Sequence, residues 1–172
     1  MGLMRSVGIK KLTLEAFAPY GAFASIMAPR GCKLGERPVE FYRDMVQQYL
    51  GVTNTVSYSA CVVEQRDWVI ANTEYHNHCS EAIICLDGDY LAHFAPACPE
   101  GVEPFENIEV FLVPRGTMVA VKPGVWHQAG FPYGCDEVHI LCALPERAYA
   151  NDCVCIDIPE DRKIRVLDEI IG

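Results

Sequence analysis

Ile84-Cys85-Leu86-Asp87-Gly88-Asp89-Tyr90-Leu91 sets two runs of β-forming residues on either side of an Asp-Gly pair. Asp-Gly between such runs is a two-residue turn signal, so the stretch predicts a hairpin. The same texture continues outward in both directions. Short runs rich in Val, Ile, Thr and aromatic residues occupy 55–63, 68–73, 81–86, 90–94, 108–113, 117–121, 137–144 and 153–158, each bounded by turn residues. Strands this short and evenly spaced indicate a sandwich or small barrel rather than alternating βα units. The segment 95–107, interrupted by Pro96, Pro99 and Pro104, reads as a loop across the outside of the sheet.

Upstream of residue 53 the pattern differs. Residues 13–21 predict a short helix, with Thr13 as its cap, Glu15 in its first turn, and Pro19 and Gly21 as its end. Residues 38–50 predict a second helix, with Pro38 in its first turn, Phe41, Met45 and Tyr49 at i, i+4, i+8, and Gly51 as the stop. The expected organisation is one domain over 1–172: a helical and loop extension at 1–52, a β-barrel at 53–158 and a C-terminal tail at 159–172.

A chain of 172 residues, 51% hydrophobic and 22% charged, has a globular composition and room for one sizeable core. Its net charge of −9 excludes a nucleic-acid backbone or an anionic membrane as the main partner and leaves a small molecule or another protein. Nine cysteines with irregular spacing and no CxxC do not form a disulfide framework. The opening residues, Met1 to Ser6, lack the apolar run of a signal peptide, and no stretch is long enough to span a bilayer. The expected compartment is the cytoplasm, with reduced thiols.

All five histidines lie between positions 76 and 139, and three of them fall in two clusters. One is His76-Asn77-His78 with Glu81 just beyond; the other is Pro123-Gly124-Val125-Trp126-His127. On a strand, side chains at i and i+2 share a face, so His76 and His78 would point to one side. A carboxylate and a third imidazole complete a divalent-metal donor set, His76, His78, Glu81 and His127. Zn, Ni, Mn and Fe all suit such donors.

His76-x-His78-x-x-Glu81-x6-Gly88 and Gly116-x6-Pro123-Gly124-x-x-His127 resemble the two sequence motifs of the cupin superfamily, which usually leaves three or four residues between the second His and the Glu. The resemblance implies an all-β fold, the cupin double-stranded β-helix or jelly-roll barrel, here with one or two short N-terminal helices. In that superfamily the two histidines and the Glu of the first motif and the His of the second hold a metal. Lys11-Leu12-Thr13-Leu14-Glu15-Ala16-Phe17-Ala18-Pro19-Tyr20-Gly21 further resembles the opening of the ureidoglycolate lyase family, formerly ureidoglycolate hydrolases. Val125-Trp126-His127 and Asp152-Cys153 to Pro159-Glu160 fall where that family carries similar residues. The family typically reads Glu-Arg-His, a short loop, then Gln-Ala-Phe; aligned on the histidine pair, this chain has His76-Asn77-His78, Cys79-Ser80 and Glu81-Ala82-Ile83.

Membership would imply a homodimeric enzyme that splits ureidoglycolate into glyoxylate and urea, in purine catabolism and allantoin degradation. A divalent metal can grip a carboxylate and α-hydroxyl pair and ease loss of the hydroxyl proton. Glu81, Glu74 or His139 could move that proton; Lys122 could pair with the substrate carboxylate, Tyr58 or Tyr90 could donate a hydrogen bond, and Trp126 could wall the pocket. The same site would also serve a sugar or hydroxy-acid isomerase, a dioxygenase, or a binding module without catalysis.

Overall fold

The computed structural model describes residues 4–172, so the expectation for the first three residues lies outside the described residues. Within them the chain forms sixteen strands: β1 Arg5–Lys11, β2 Gly21–Ser25, β3 Lys33–Leu34, β4 Phe41–Tyr42, β5 Val56–Glu64, β6 Val69–Ile70, β7 Asn72–Tyr75, β8 Glu81–Cys85, β9 Asp89–Ala95, β10 Glu109–Val113, β11 Thr117–Val121, β12 Trp126–His127, β13 Phe131–Tyr133, β14 Glu137–Pro145, β15 Val154–Asp157 and β16 Ile164–Ile171. The two helices are α1, Leu14–Phe17, and α2, Ala148–Asn151. A nine-stranded sheet runs β15-β7-β12-β9-β10-β1-β16-β6, with β13 also on β9, and faces a five-stranded sheet ordered β2-β11-β8-β14-β5.

β8 and β9 do not pair with each other. β8 bonds β11 and β14 in the smaller sheet, whereas β9 bonds β10, β12 and β13 in the larger. The Asp87-Gly88 turn therefore carries the chain across the barrel, and the hairpin expected there is not formed. Its partners explain the crossing. Leu86 N–H donates to the His139 carbonyl at 2.9 Å, and the Asp87 carboxylate accepts from the His139 N–H at 2.8 Å, so the turn stays with β14. Gly88 is required by space, since a Cβ there would meet Val138 Cγ1 at 2.7 Å and Cys135 Sγ at 2.9 Å.

Alternation then builds two cores. Tyr90, Ala92 and Phe94 of β9 face the smaller sheet and join Phe17, Phe111, Val119 and Ile140 between the sheets. Leu91 and Ala95 point the other way, into a second cluster with Ile9, Phe105, Trp126, Phe131 and Ile164. The helix α1 supplies Phe17 to the first core, and its ring stands edge-on to Phe94 and Phe111 at 5.0 and 5.6 Å. As the sequence predicts, Thr13 caps this helix, its hydroxyl accepting from the Ala16 N–H at 3.2 Å.

The flanks depart from expectation in three places. Residues 38–50 form no helix: they contain β4 and a loop in which Asp44 sits at φ 53°. Phe41 and Tyr49, the apolar stripe of the expected helix, are 61% and 59% exposed, so no burial supports it. The loop is spent on the barrel instead. Gln48 Nε2 donates to the Ser80 and Ala143 carbonyls at 3.0 and 2.6 Å, and the Ser80 N–H donates to the Tyr49 carbonyl at 2.8 Å. The expected extension and tail contribute strands. β1 pairs in parallel with both β10 and β16, joining Ile9 to Val110 and Arg5 to Ile164 across most of the chain, a pairing that local patterns do not announce. The second helix lies late in the chain, at α2, rather than near the N-terminus.

The outer face of the smaller sheet is apolar. In register across all five strands, Ala24, Met118, Ile84, Leu141 and Ala60 form one transverse row of half-buried or exposed side chains. No helix among the described residues is long and apolar enough to cross a membrane.

His93 is buried under the larger sheet. The Thr73 hydroxyl donates to the His127 carbonyl at 3.2 Å, so His93 Nε2–H must donate to that hydroxyl at 3.2 Å, which leaves the buried Nδ1 without a partner. Burial, then the nearby His127 and Arg66, push this imidazole from 6.5 down to about 3. Between those values the unfolded chain binds a proton that the folded chain does not, so stability falls as pH drops below about 6.5 and levels off below about 3. Urea titrations from pH 7 to 4.5 should therefore show a decline that His93→Gln makes shallower by up to about 1.4 kcal/mol per pH unit. Equal slopes in the two proteins would refute the assignment.

Candidate metal centre

Four acidic and imidazole side chains converge between the sheets. Glu74 comes from β7, His76 from just beyond its end, Glu81 from the start of β8 and His127 from β12. One donor atom of each lies within 4.8 Å of every other. His76, Glu81 and His127 are 4%, 7% and 3% exposed. β7 and β12 are neighbours in the larger sheet, with Glu74 opposite His127, and Glu81 reaches across from the smaller sheet.

The pair sharing a face is Glu74-x-His76, not His76-x-His78. β7 ends at Tyr75, and residues 77–79 form a bend, so strand alternation no longer governs position 78. His78 turns outward, its side chain 77% exposed, and its Nδ1 pairs with Asp152 Oδ1 at 2.8 Å. The same carboxylate accepts the backbone N–H groups of Asn77 and His78 at 2.9 and 2.8 Å, pinning the bend. In this register four residues separate His76 from Glu81, the spacing usual for the cupin motif. Glu74-Tyr75-His76 likewise takes the place of the Glu-Arg-His segment, with Tyr75 at the Arg position.

Each imidazole is aimed by its other nitrogen. His76 Nδ1 meets the Asp152 carbonyl at 2.7 Å and His127 Nδ1 meets the Val125 carbonyl at 2.9 Å. A carbonyl only accepts, so both Nδ1 atoms carry hydrogen and both Nε2 atoms turn to Glu81 Oε2, at 3.2 and 2.8 Å. Burial alone would raise the Glu81 carboxyl; hydrogen bonds and charge from His127 and His76 outweigh it and hold it well below the usual carboxylate range. Burial likewise pulls the His76 imidazole down, and Glu81, the Asp152 carbonyl and Glu74 together more than restore it, leaving it above its ordinary value.

The donor chemistry fits a divalent cation. Two imidazole Nε2 atoms and two carboxylates, each with a donor atom within 4.8 Å of the others, are the nitrogen and oxygen donors such an ion takes. The second nitrogen of each ring is already held by a carbonyl, the arrangement that orients a metal-ligating histidine.

The remaining expected site residues divide sharply. Tyr90 lines the cavity beside the cluster, 2% exposed, and its hydroxyl has no hydrogen-bond partner. His139 lies on the outward side of β14, bonded to Asp87 at 2.6 Å, because Ile140 and Cys142 take the inward positions. Lys122 is exposed and donates to the Ala18 carbonyl at 2.6 Å. Tyr58, 70% exposed, sits on the outer side of β5. Trp126 precedes His127 on β12 and so faces away from the cluster, stacked edge-on with Tyr75 at 4.5 Å along a separate outer groove. None of these four reaches the cluster.

Sequence reasoning passed over Cys61 and Cys142, which line the cavity on the smaller sheet, and Cys153, whose thiol donates to Glu74 Oε2 at 3.3 Å. Period-two alternation puts Cys142 on the side of Ile140 and Cys61 on the side of Ser59, and that pattern is the signal that could have found these two. Burial, then Glu74, push the Cys153 thiol up to about 12, so it is a hydrogen-bond donor rather than a nucleophile.

A curled pair of mostly antiparallel sheets with this donor cluster between them defines a cupin. The sequence model of the ureidoglycolate lyase family matches residues 4–165, and the chain belongs to that family. No curated protein sequence matches it. Among solved structures, a dTDP sugar isomerase from Desulfovibrio desulfuricans G20 is 12% identical over 83% of this chain and 87% of its own, with a TM-score of 0.48. A dTDP-4-dehydrorhamnose 3,5-epimerase from Bacillus anthracis is 12% identical over 88% and 95%, with a TM-score of 0.47. Peruvianin-I, a cysteine peptidase from Thevetia peruviana latex, is 13% identical over 60% of this chain, with a TM-score of 0.44; the chain spans 56% of its length.

Metal content should follow the cluster and not the histidine count. After loading with zinc and desalting, His127→Ala and Glu81→Ala should retain less than a tenth of the wild-type metal, while His78→Ala should retain nearly all of it. Mass-spectrometric metal analysis decides this, and equal loss in His78→Ala would restore the His-x-His assignment.

Proposed function

We propose that this protein is a metal-dependent lyase that opens the carbon–nitrogen bond of a small α-hydroxy carboxylate, as in the conversion of ureidoglycolate to glyoxylate and urea. One observation carries the reading: the Glu81 carboxylate clamped between His76 and His127, with Glu74 within reach of all three. When bound there, a divalent cation such as Zn, Ni, Mn or Fe supplies Lewis-acid polarisation of a carboxylate and α-hydroxyl pair. Glu81 is already engaged by two imidazoles, so Glu74, partly open to the cavity, is the base that takes the hydroxyl proton. As the carbonyl forms and the C–N bond breaks, the same carboxylate returns that proton to the departing nitrogen. Tyr90 donates its free hydroxyl to a substrate oxygen. The apolar walls of the cavity exclude water and strengthen these interactions.

The expected test is glyoxylate release from ureidoglycolate by the zinc- or manganese-loaded protein. Glu74→Gln should lower kcat by about 10²–10⁴, the usual range for a general base. Full activity in Glu74→Gln would remove it from the mechanism; no release by the wild type with metal bound would overturn the reaction.

The free thiols agree with a cytoplasmic setting, in the purine-nitrogen recovery the family serves. A homodimer formed through the outer face of the smaller sheet is part of the same reading. An antiparallel sheet facing water would carry polar side chains there, whereas the row from Ala24 to Ala60 is apolar and its small residues admit a second sheet closely. Five strands at about 4.8 Å spacing give a patch roughly 24 Å wide. Sedimentation at micromolar concentration should give a dimer for the wild type and a monomer for Leu141→Lys. A monomeric wild type would rule the interface out.

A further inference from the structure

The two carboxylates of the cluster are held in different ways. Glu81 is engaged by both imidazoles through one oxygen, Oε2. Glu74 is engaged by neither. Among the described residues the one side chain that donates a hydrogen bond to it is Cys153, whose thiol reaches Oε2 at 3.3 Å.

Cys153 lies 79 positions from Glu74 in sequence, just before β15, the strand that pairs with β7. Its place is set from both sides. Ahead of it, Asp152 grips the bend after β7: its carbonyl accepts from His76 Nδ1 at 2.7 Å, and its carboxylate accepts the Asn77 and His78 N–H groups at 2.9 and 2.8 Å. Behind it, Val154 lies opposite Tyr75 and Cys155 opposite Glu74, which fixes β15 on β7. The thiol is therefore carried to Glu74 by bonds in which it takes no part.

What Glu74 requires follows from its task. In the lyase reading one carboxylate takes a proton from the substrate hydroxyl and returns it to the departing nitrogen, so it must keep one direction toward both atoms. A glutamate side chain beside an open cavity can occupy several rotamers, and only those aimed at the reacting atoms are productive. A bond to Oε2 selects among them and leaves Oε1 free. A thiol is a weak donor, so it directs the carboxylate without neutralising it as a lysine or arginine would.

We propose that Cys153 is a positioning residue for the Glu74 base, its thiol holding Oε2 so that Oε1 is presented to the substrate. This rests on the metal-dependent lyase reading of the same site. Cys153 makes no bond to the substrate and transfers no proton; it acts through Glu74.

Kinetics of glyoxylate release from ureidoglycolate by the zinc- or manganese-loaded full-length protein, with kcat expressed per bound metal, test the assignment. Cys153→Ala should lower kcat about three- to tenfold, the worth of one weak hydrogen bond, with KM within about twofold of wild type. Cys153→Ser keeps a donor in the same place and should restore kcat to within about twofold. Cys155→Ala removes the exposed thiol two residues on and should leave activity unchanged. In a Glu74→Gln background, Cys153→Ala should lower kcat no further, because residues that act as one unit are not additive. If Cys153→Ala keeps full kcat, if serine fails to rescue it, if Cys155→Ala falls as far, or if the two losses multiply in the double variant, the positioning role is overturned and the lyase reading stands. If Cys153→Ala loses metal in proportion to its activity, the thiol supports the metal and not the base, and the proposal is likewise overturned. If the metal-loaded wild type releases no glyoxylate, both are overturned.

Discussion

The Glu81 carboxylate, received by His76 and His127, is the interaction on which the rest of the molecule turns. It joins the two sheets: Glu81 belongs to the smaller sheet, and the imidazoles come from β12 and the end of β7 in the larger. A buried carboxylate without partners would be strongly unfavourable, and so would two buried imidazoles. Together they are tolerable because each charge faces its opposite and each Nδ1 is held by a carbonyl. The cluster is also far from indifferent to metal. The Nε2 atoms that face Glu81 are the ones a cation would use, so proton and metal compete for one set of lone pairs. The bend at 77–79, tied down by Asp152, exists to bring His76 to this position at the end of β7.

The cavity follows from the same constraint. Strand alternation sends Ile83, Ile140 and Cys142 of one sheet and Tyr90, Ala92 and Phe94 of the other toward each other, so the space next to a charged cluster is walled by hydrocarbon. Such a wall lowers the local dielectric and sharpens every charge interaction inside it.

Most barrel strands from 55 to 158 were readable because they are short β-forming runs between turn residues, with shifts of mostly one or two positions, but β12 and β13, of two and three residues, were too short to stand out. What misled were features whose meaning depends on the partner strand. Asp87-Gly88 has hairpin chemistry, yet its neighbours after folding are His139 and Val138, so it turns a corner between sheets. Phe41, Met45 and Tyr49 have helical spacing, but no surface receives that stripe. His78 has the spacing of a ligand and lies past the end of its strand, where spacing no longer fixes direction.

By itself the sequence determined the class of fold, the family, and the involvement of His76, Glu81 and His127, because β propensity, turn residues and donor types are properties of the local chain. Only the tertiary structure decided the fourth member of the cluster, Glu74 in place of His78, and the inward or outward assignment of His139, Trp126, Lys122 and Tyr58. The physical reason is register. A strand's two faces are chemically equivalent until another sheet packs on one of them, and a single residue's slip, or a strand ending one residue early, exchanges every ligand for its neighbour.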